Sequence, residues 1–368
     1  MFDYAIAGAG IAGVSIAREL ARAGASVVIL EMEERPAYHT TGRSAAMYAP
    51  GYGPRAVRML TQHSRETYFT PPEGFANAPL VGPEVGCLFI AWAGEETLLD
   101  QKWDELIGDL PALDRLTPAQ AQARVPILKP EALAGALFEG LSAAMDVNEI
   151  HQSYLRDAKR AGAELKVRAE LRSATYEGGH WALDTAAGPL AARVLVNAAG
   201  AWADSVAARC GVAPIGIQPK RRTAITFKGP SQKQMEGWPL VWHVGDDFYI
   251  KPEAGLVLGS PCDETDMDPH DVQPDEIDIA RCAAKIEQAT TLTITRIEHR
   301  WAGLRSFAPD RNPVAGFEPD HPGFFWFAGQ GGFGIQMAPA LATTGAALAQ
   351  GGAIDGTLAP LIAPDRLR

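Results

Sequence analysis

Tyr4-Ala5-Ile6-Ala7-Gly8-Ala9-Gly10-Ile11-Ala12-Gly13, a helical pattern to about Ala23, and the apolar run Ser26 to Glu31 after Gly24 together decide the fold of this chain. The order is strand, glycine turn, helix, strand, which is a βαβ unit. A GxGxxG turn in that setting lets backbone approach a pyrophosphate and aims the helix N-terminus at it, so Gly8, Gly10, Ile11, Ala12 and Gly13 are candidate cofactor contacts. Glu31 ends the second strand roughly 20 residues on, where an acidic side chain accepts hydrogen bonds from a ribose hydroxyl. The alternative, a glycine turn that binds nothing, leaves the acid in that place unexplained. The segment predicts a dinucleotide site, with FAD and NAD both open.

The bulk numbers agree with a small-ligand protein. The 368 residues, 47% hydrophobic with 37 glycines, suffice for a large core and two domains. Acidic residues outnumber basic ones 44 to 33, a net charge of −11, so a phosphate-tracking nucleic-acid surface has no support. No apolar run approaches the roughly 20 residues that span a bilayer, and the first strand starts too early for a leader peptide. Cys87, Cys210, Cys262 and Cys282 show no CxxC or Cys/His spacing, so free thiols, no metal and a cytoplasmic location are expected.

Further along, residues 70–140 are rich in Pro and Gly and read as an inserted region, with a short helix after Thr117-Pro118. Asp146 to Ala161 reads as a helix with an Asp146/Glu149 capping box. Short strands are predicted at Leu165 to Arg168, Ser173 to Tyr176, Trp181 to Asp184 and Val194 to Val196. A second sheet follows, with strands at Thr223 to Phe227, Phe248 to Lys251 and Leu256 to Leu258 around the turn Pro252-Glu253-Ala254-Gly255. Two interleaved domains are expected, one from residues 1–75, 141–215 and 300–368, the other from 76–140 and 216–299.

Three later segments favour FAD. Thr41-Gly42-Arg43-Ser44-Ala45-Ala46 offers a glycine turn with a cation and a hydroxyl for a second phosphate contact. Gly200 follows a strand and allows close approach of a loop. Gly329-Gln330-Gly331-Gly332-Phe333-Gly334-Ile335-Gln336 precedes a helical pattern from about Pro339 to Gln350, and a helix N-terminus there would stabilise negative charge on a reduced flavin.

Taken with His39-Thr40-Thr41-Gly42-Arg43-Ser44, Val196-Asn197-Ala198-Ala199-Gly200-Ala201-Trp202, Gln218-Pro219-Lys220-Arg221-Arg222 and Trp301-Ala302-Gly303-Leu304-Arg305-Ser306-Phe307, these blocks resemble the D-amino-acid oxidase and glycine oxidase superfamily nearly end to end, and within it most nearly the D-arginine dehydrogenases. The resemblance implies an α/β fold: a Rossmann-like FAD-binding domain interleaved with an α+β substrate domain on a mostly antiparallel mixed sheet. It implies oxidation of an amino acid to an imino acid, which water hydrolyses to a keto acid and ammonia, with an electron acceptor the sequence does not identify. Arg222 and Arg305 match the arginines that hold the substrate carboxylate, and Tyr249 and Tyr52 match tyrosines that contact substrate. Gly303 joins the expected cofactor contacts with Gly331, Gly332, Gly334, Ile335 and Gln336. Covalent relatives tether the flavin through a cysteine shortly after the second arginine; here Ser306-Phe307-Ala308-Pro309 stands there, so FAD is expected to be non-covalent.

The residues alone leave more open. Lys220 and Arg222 share one face of a strand and Arg221 the other, and the pattern does not say which faces inward. Tyr249 and Tyr52 could be ordinary aromatic packing. Lys251 reads as a solvated hairpin lysine, and His39 as a structural or cofactor residue rather than an acid-base group. Oxidation of N-methyl amino acids or a 2-hydroxy acid, and a non-catalytic FAD-binding protein, are the alternatives. The substrate pocket is expected to include Met47, Ala49, Leu240, Trp242, Gly332 and Gly86, the last standing where the resembled enzymes place a glutamate toward the substrate guanidinium. That predicts a preference for apolar side chains, unless Glu84, two residues before Gly86, restores the carboxylate.

Overall fold

The computed structural model describes residues 1–368 and forms three sheets. In the first, the strand Phe2–Ala7 runs parallel to Val27–Leu30 on one side and to Gly188–Asn197 on the other, with Phe324–Ala328 parallel beyond it. Successive connections therefore leave the first strand in opposite directions, and such a switch point opens a crevice at the carboxyl ends of the strands. The register Ala7↔Leu30 brings Gly8 and Glu31 to that edge together. The helix Ile11–Arg22 can lie close over the first strand because position 13 is glycine: an added Cβ would sit 1.8 Å from the Gly8 carbonyl oxygen. Helices Val147–Arg160 and Gly334–Ala349 pack beside it over a core that includes Ile6, Val14, Leu20, Tyr154, Phe325 and Leu341.

The second sheet has ten strands and is antiparallel except where Leu240–His243 runs parallel to Cys87–Trp92. Its longest ladder joins Gln218–Phe227 to Ile297–Phe307, toward one edge of the sheet. The expected domain boundary at residue 300 falls inside Ile297–Phe307, whose ladder belongs wholly to this second sheet. A small third sheet joins Met47–Tyr48, Ala143–Met145 and Val81–Glu84. No helix is long and apolar enough to cross a membrane.

Several elements differ from expectation for local reasons. Residues 70–140 join the second sheet, as their expected pairing with 216–299 in one domain implies, but through three strands that were not expected, Cys87–Trp92, Asp114–Leu116 and Leu133–Glu139, beside the helix Glu96–Leu106. Strands buried on both faces show no alternation, so Cys87-Leu88-Phe89-Ile90-Ala91-Trp92 carried little periodic signal. Thr117 does cap Pro118–Arg124, with Gln120 closing a capping box. Asp146 caps Val147–Arg160 through the Glu149 N–H, but the Glu149 carboxylate accepts from the Asn77 N–H at 2.8 Å, so the reciprocal half of that box is absent.

The last long helix begins at Gly334, five residues before the expected Pro339, which lies inside it. Proline cannot donate to the carbonyl four residues back, here that of Ile335. The buried Tyr68 hydroxyl donates to that carbonyl instead, and the Ser64 hydroxyl accepts from the next N–H, Ala340, at 3.1 Å. Helix Gly334–Ala349 thus runs unbroken back to the glycine loop.

Candidate functional site

One long cavity runs along the crevice from Glu31 and Leu171, past the first glycine turn, to Arg305 and Gly332. Gly8, Gly10, Ile11 and Ala12 line it, as do Glu31, Arg43, Ser44, Ala45, Ala46, Gly200, Gly303, Gly331, Gly334, Ile335 and Gln336. Gly13 does not; its bare Cα serves the contact of helix with strand. The helices Ile11–Arg22 and Gly334–Ala349 both begin on this cavity without a cap from their N-cap residues, so apart from Ile11 N–H, which Thr41 takes, both present N–H groups and positive dipole ends to it. The buried Glu31 carboxylate accepts from Ala9 N–H and Glu33 N–H, each at 3.0 Å, and burial pushes its carboxyl above the usual range.

Two expected cofactor side chains are already engaged. The Arg43 guanidinium donates to the carbonyls of Val272 and Ala302 at 3.1 and 3.2 Å and pairs with Asp271, so it ties two segments together and has no charge free for a phosphate. The Gln336 amide accepts from Ala49 N–H at 3.2 Å and donates to the Tyr52 carbonyl at 3.4 Å, which clasps the Ala49–Tyr52 loop to the helix start. His39 also lines the cavity, 2.9 Å from Glu33 and packed against Trp202. Thr41, which accepts from Ile11 N–H at 3.0 Å, and Ala169 and Leu171 line the cavity without having been singled out. Thr41 lay within a quoted motif; Ala169 and Leu171 have no local signature, since they arrive through sheet order.

At the other end, register decides what alternation left open. Lys220 pairs with Arg305 and Arg222 with Gly303, so Arg222 and Arg305 share one face of adjacent strands, and both line the cavity. Lys220 shares that face but reaches its edge to pair with Asp266, while Arg221 turns to the other face and to Asp278 at 2.7 Å. Arg305 donates to the Tyr52 hydroxyl. The Tyr52 ring stands 4.4 Å from Trp242, and Trp242 5.2 Å from Tyr249, so three aromatic rings form one wall. Trp242 is held by its indole N–H, which donates to Asp246 at 2.7 Å. Met47, Ala49 and Leu240 complete this end. Burial raises the Tyr249 phenol well above its ordinary value, so it stays protonated at neutral pH. Gly332 brings its bare Cα against the Arg305 guanidinium.

Three expectations fail here. Glu84 pairs with Arg65 at 2.9 Å and does not line the cavity, and neither does Gly86. The N–H groups of Val85 and Gly86 both donate to the Ser142 carbonyl, and Gly86 has φ +82°, so the chain turns there and the alternation that would put Glu84 and Gly86 on one face is broken. Lys251 is not solvated: it is only 5% exposed and pairs with Glu253.

The cavity suits an anion at its substrate end. Arg222 Nε and Arg305 Nη1 are buried with no hydrogen-bond partner, as is the Ser306 hydroxyl. Buried guanidinium donors left unpaired are costly, and a carboxylate would satisfy them. The other end suits a dinucleotide: two uncapped helix starts for a pyrophosphate and a flavin, and an acid with lone pairs for a ribose.

Comparison with known proteins agrees. Glycine oxidase of Geobacillus kaustophilus is 26% identical, the alignment covering 92% of this chain and 90% of that one. Mitochondrial dimethylglycine dehydrogenase of Rattus norvegicus is 25% identical over 90% of this chain but only 41% of its own. The solved L-proline dehydrogenase from P. horikoshii superposes with a TM-score of 0.86 at 23% identity, covering 99% of this chain and 97% of that one, which shows the shared fold. The sequence profile described as "FAD dependent oxidoreductase", the DAO family, matches residues 3–348, and this chain therefore belongs to the DAO family of FAD-dependent oxidoreductases.

Proposed function

We propose that the protein oxidises the α-carbon of D-amino acids with apolar side chains. The observation that carries this reading is the pair of unpartnered donors on Arg222 and Arg305, on one face beside the Tyr52–Trp242–Tyr249 wall. Bound along this cavity, FAD would supply the acceptor for a hydride leaving the α-carbon. Arg222 and Arg305 would grip the substrate carboxylate and fix that carbon, since such transfer needs reacting atoms held about 3–3.5 Å apart. Tyr249, held protonated by burial, would meet a neutral amine as a hydrogen-bond partner rather than as a base. Loss of the hydride, with the amine lone pair forming the C=N bond, leaves an imino acid that water hydrolyses to keto acid and ammonia. FAD would be held without a covalent bond, because Ser306-Phe307-Ala308-Pro309, the stretch where covalent relatives carry a cysteine, contains none.

The preference for apolar side chains rests on the wall itself. Met47, Ala49, Leu240 and Trp242 line it, and Glu84, the acid closest in sequence to Gly86, is committed to Arg65 outside the cavity. Burying a guanidinium there without a carboxylate costs on the order of several kcal/mol. The D configuration rests on the resemblance of the quoted sequence blocks to those of D-arginine dehydrogenases. The relative named for dimethylglycine favours a second reading, oxidation of an N-methyl amino acid, in which an amine rather than ammonia is released. Four free, buried cysteines suit a reducing compartment, and we place the protein in the cytoplasm.

The test is a panel of D-, L- and N-methyl amino acids with an artificial dye acceptor. D-leucine, D-methionine and D-phenylalanine should exceed D-arginine in kcat/KM and release ammonia. D-arginine winning by roughly tenfold, about 1.4 kcal/mol in transition-state binding, would overturn the side-chain reading.

A further inference from the structure

Behind the two cavity arginines stands a carboxylate that does not itself line the cavity. Glu264 Oε1 lies 3.2 Å from Arg222 Nη2 and 2.8 Å from Arg311 Nη2, and its other oxygen accepts from Arg311 Nη1 at 2.9 Å. Arg305 Nη1 lies 3.6 Å from the same Oε1, an ion-pair distance but too long for a hydrogen bond. Arg311 is held in turn: its backbone has φ +65°, an uncommon conformation for a side-chain-bearing residue, and its guanidinium lies 4.0 Å over the Phe307 ring. Burial works against ionisation of Glu264, but the hydrogen bonds and charge of Arg311, together with the charges of Arg305 and Arg222, outweigh it and keep the carboxyl below its ordinary value.

We propose that Glu264 and Arg311 form a positioning pair that sets the carboxylate clamp. This rests on the reading that Arg222 and Arg305 bind the substrate carboxylate. Two guanidinium groups that converge on one anion repel each other while the site waits for it. Glu264 offsets that repulsion from behind and anchors Arg222 through Nη2, leaving Arg222 Nε without a protein partner, while Arg305 Nη1 stays 3.6 Å away, beyond hydrogen-bond reach. Arg311 grips Glu264 by both oxygens and keeps it from closing on Arg305. The two residues therefore act on carboxylate affinity with opposite sign: Glu264 is a competing negative charge, and Arg311 is what restrains it.

The experiment uses the FAD-loaded enzyme and 4-methylpentanoate, which is leucine without its amine, with affinity read by calorimetry and kcat measured on the preferred amino acid. Glu264→Gln should bind the probe at least threefold more tightly while kcat falls tenfold or more, because the clamp attracts the carboxylate but no longer fixes its angle. Arg311→Met should weaken the probe at least threefold, as Glu264 swings into the clamp. The double variant should bind like Glu264→Gln, since nothing is left to restrain. Weaker binding in both single variants, or no change in either, would overturn the inference while leaving the clamp intact. Wild-type enzyme that does not bind the probe would overturn the clamp and the inference together.

Discussion

The guanidinium of Arg305 lies directly on the bare Cα of Gly332, where an added Cβ would sit 2.1 Å from its Nε and Nη2. The glycine loop and the carboxylate clamp are thus one construction. The atoms that would be displaced belong to the end of a flexible side chain, not to backbone. Gly332→Ala should therefore fold normally, with a melting temperature within a few degrees of wild type, and lose on the order of 100-fold in kcat/KM, as misplacing a binding group by about 1 Å does. Unchanged kinetics in the alanine variant would show that Arg305 does not hold substrate from this position.

Removing either guanidinium outright should cost more. Arg222→Met and Arg305→Met should retain FAD yet lose several kcal/mol of transition-state binding, a drop in kcat/KM of about 100-fold or beyond, since each loses a buried charge-assisted hydrogen bond. Flavin absorbance reports the first and steady-state kinetics the second. Near wild-type rates in both variants would remove the clamp from the mechanism.

Tyr68 stands in for the hydrogen bond that Pro339 cannot make. Tyr68→Phe leaves the Ile335 carbonyl buried without a donor, at a cost of about 1–3 kcal/mol. Chemical denaturation should show that loss as a lower midpoint with an unchanged slope. Equal stability would mean that another donor, such as a water, takes the place.

His151 should make stability depend on pH. Its Nε2 donates to the Ala9 carbonyl at 2.9 Å beneath the first glycine turn, and burial lowers its pKa below the ordinary 6.5. The unfolded chain then takes up the proton first as pH falls, so the contribution is fully present above about pH 6.5 and is lost as pH drops through the folded value. One proton limits the slope to about 1.4 kcal/mol per pH unit. His151→Gln should flatten the stability profile as pH falls below about 6.5, and an identical slope in wild type and variant would assign the proton elsewhere.

The cofactor should come away whole. Acid precipitation of the yellow protein is expected to release intact FAD into the supernatant, because Ser306-Phe307-Ala308-Pro309 offers no thiol for a covalent bond. Colour that stays in the pellet would show a covalent attachment elsewhere in the cavity.

Local chemistry carried a large part of this protein. Glycine spacing, an acid at the end of the next strand and apolar periodicity specified the βαβ unit, because each acts within about thirty residues and needs no distant partner. The blocks around Arg222, Arg305 and Gly332 named the substrate end by resemblance. What needed the tertiary structure was every choice between equivalent local arrangements. Lys220, Arg221 and Arg222 are alike in sequence, and only the pairing of Gln218–Phe227 with Ile297–Phe307 sends Arg222 to the cavity, Lys220 to Asp266 and Arg221 to Asp278. Arg43 looked free for a phosphate until Asp271 and two carbonyls from distant segments took it, and Glu84 looked free for a substrate until Arg65 did. Glu264 carries no motif at all. A charge is available or spent according to what the fold brings within about 4 Å of it, and that is a property of chain crossings rather than of neighbours in sequence.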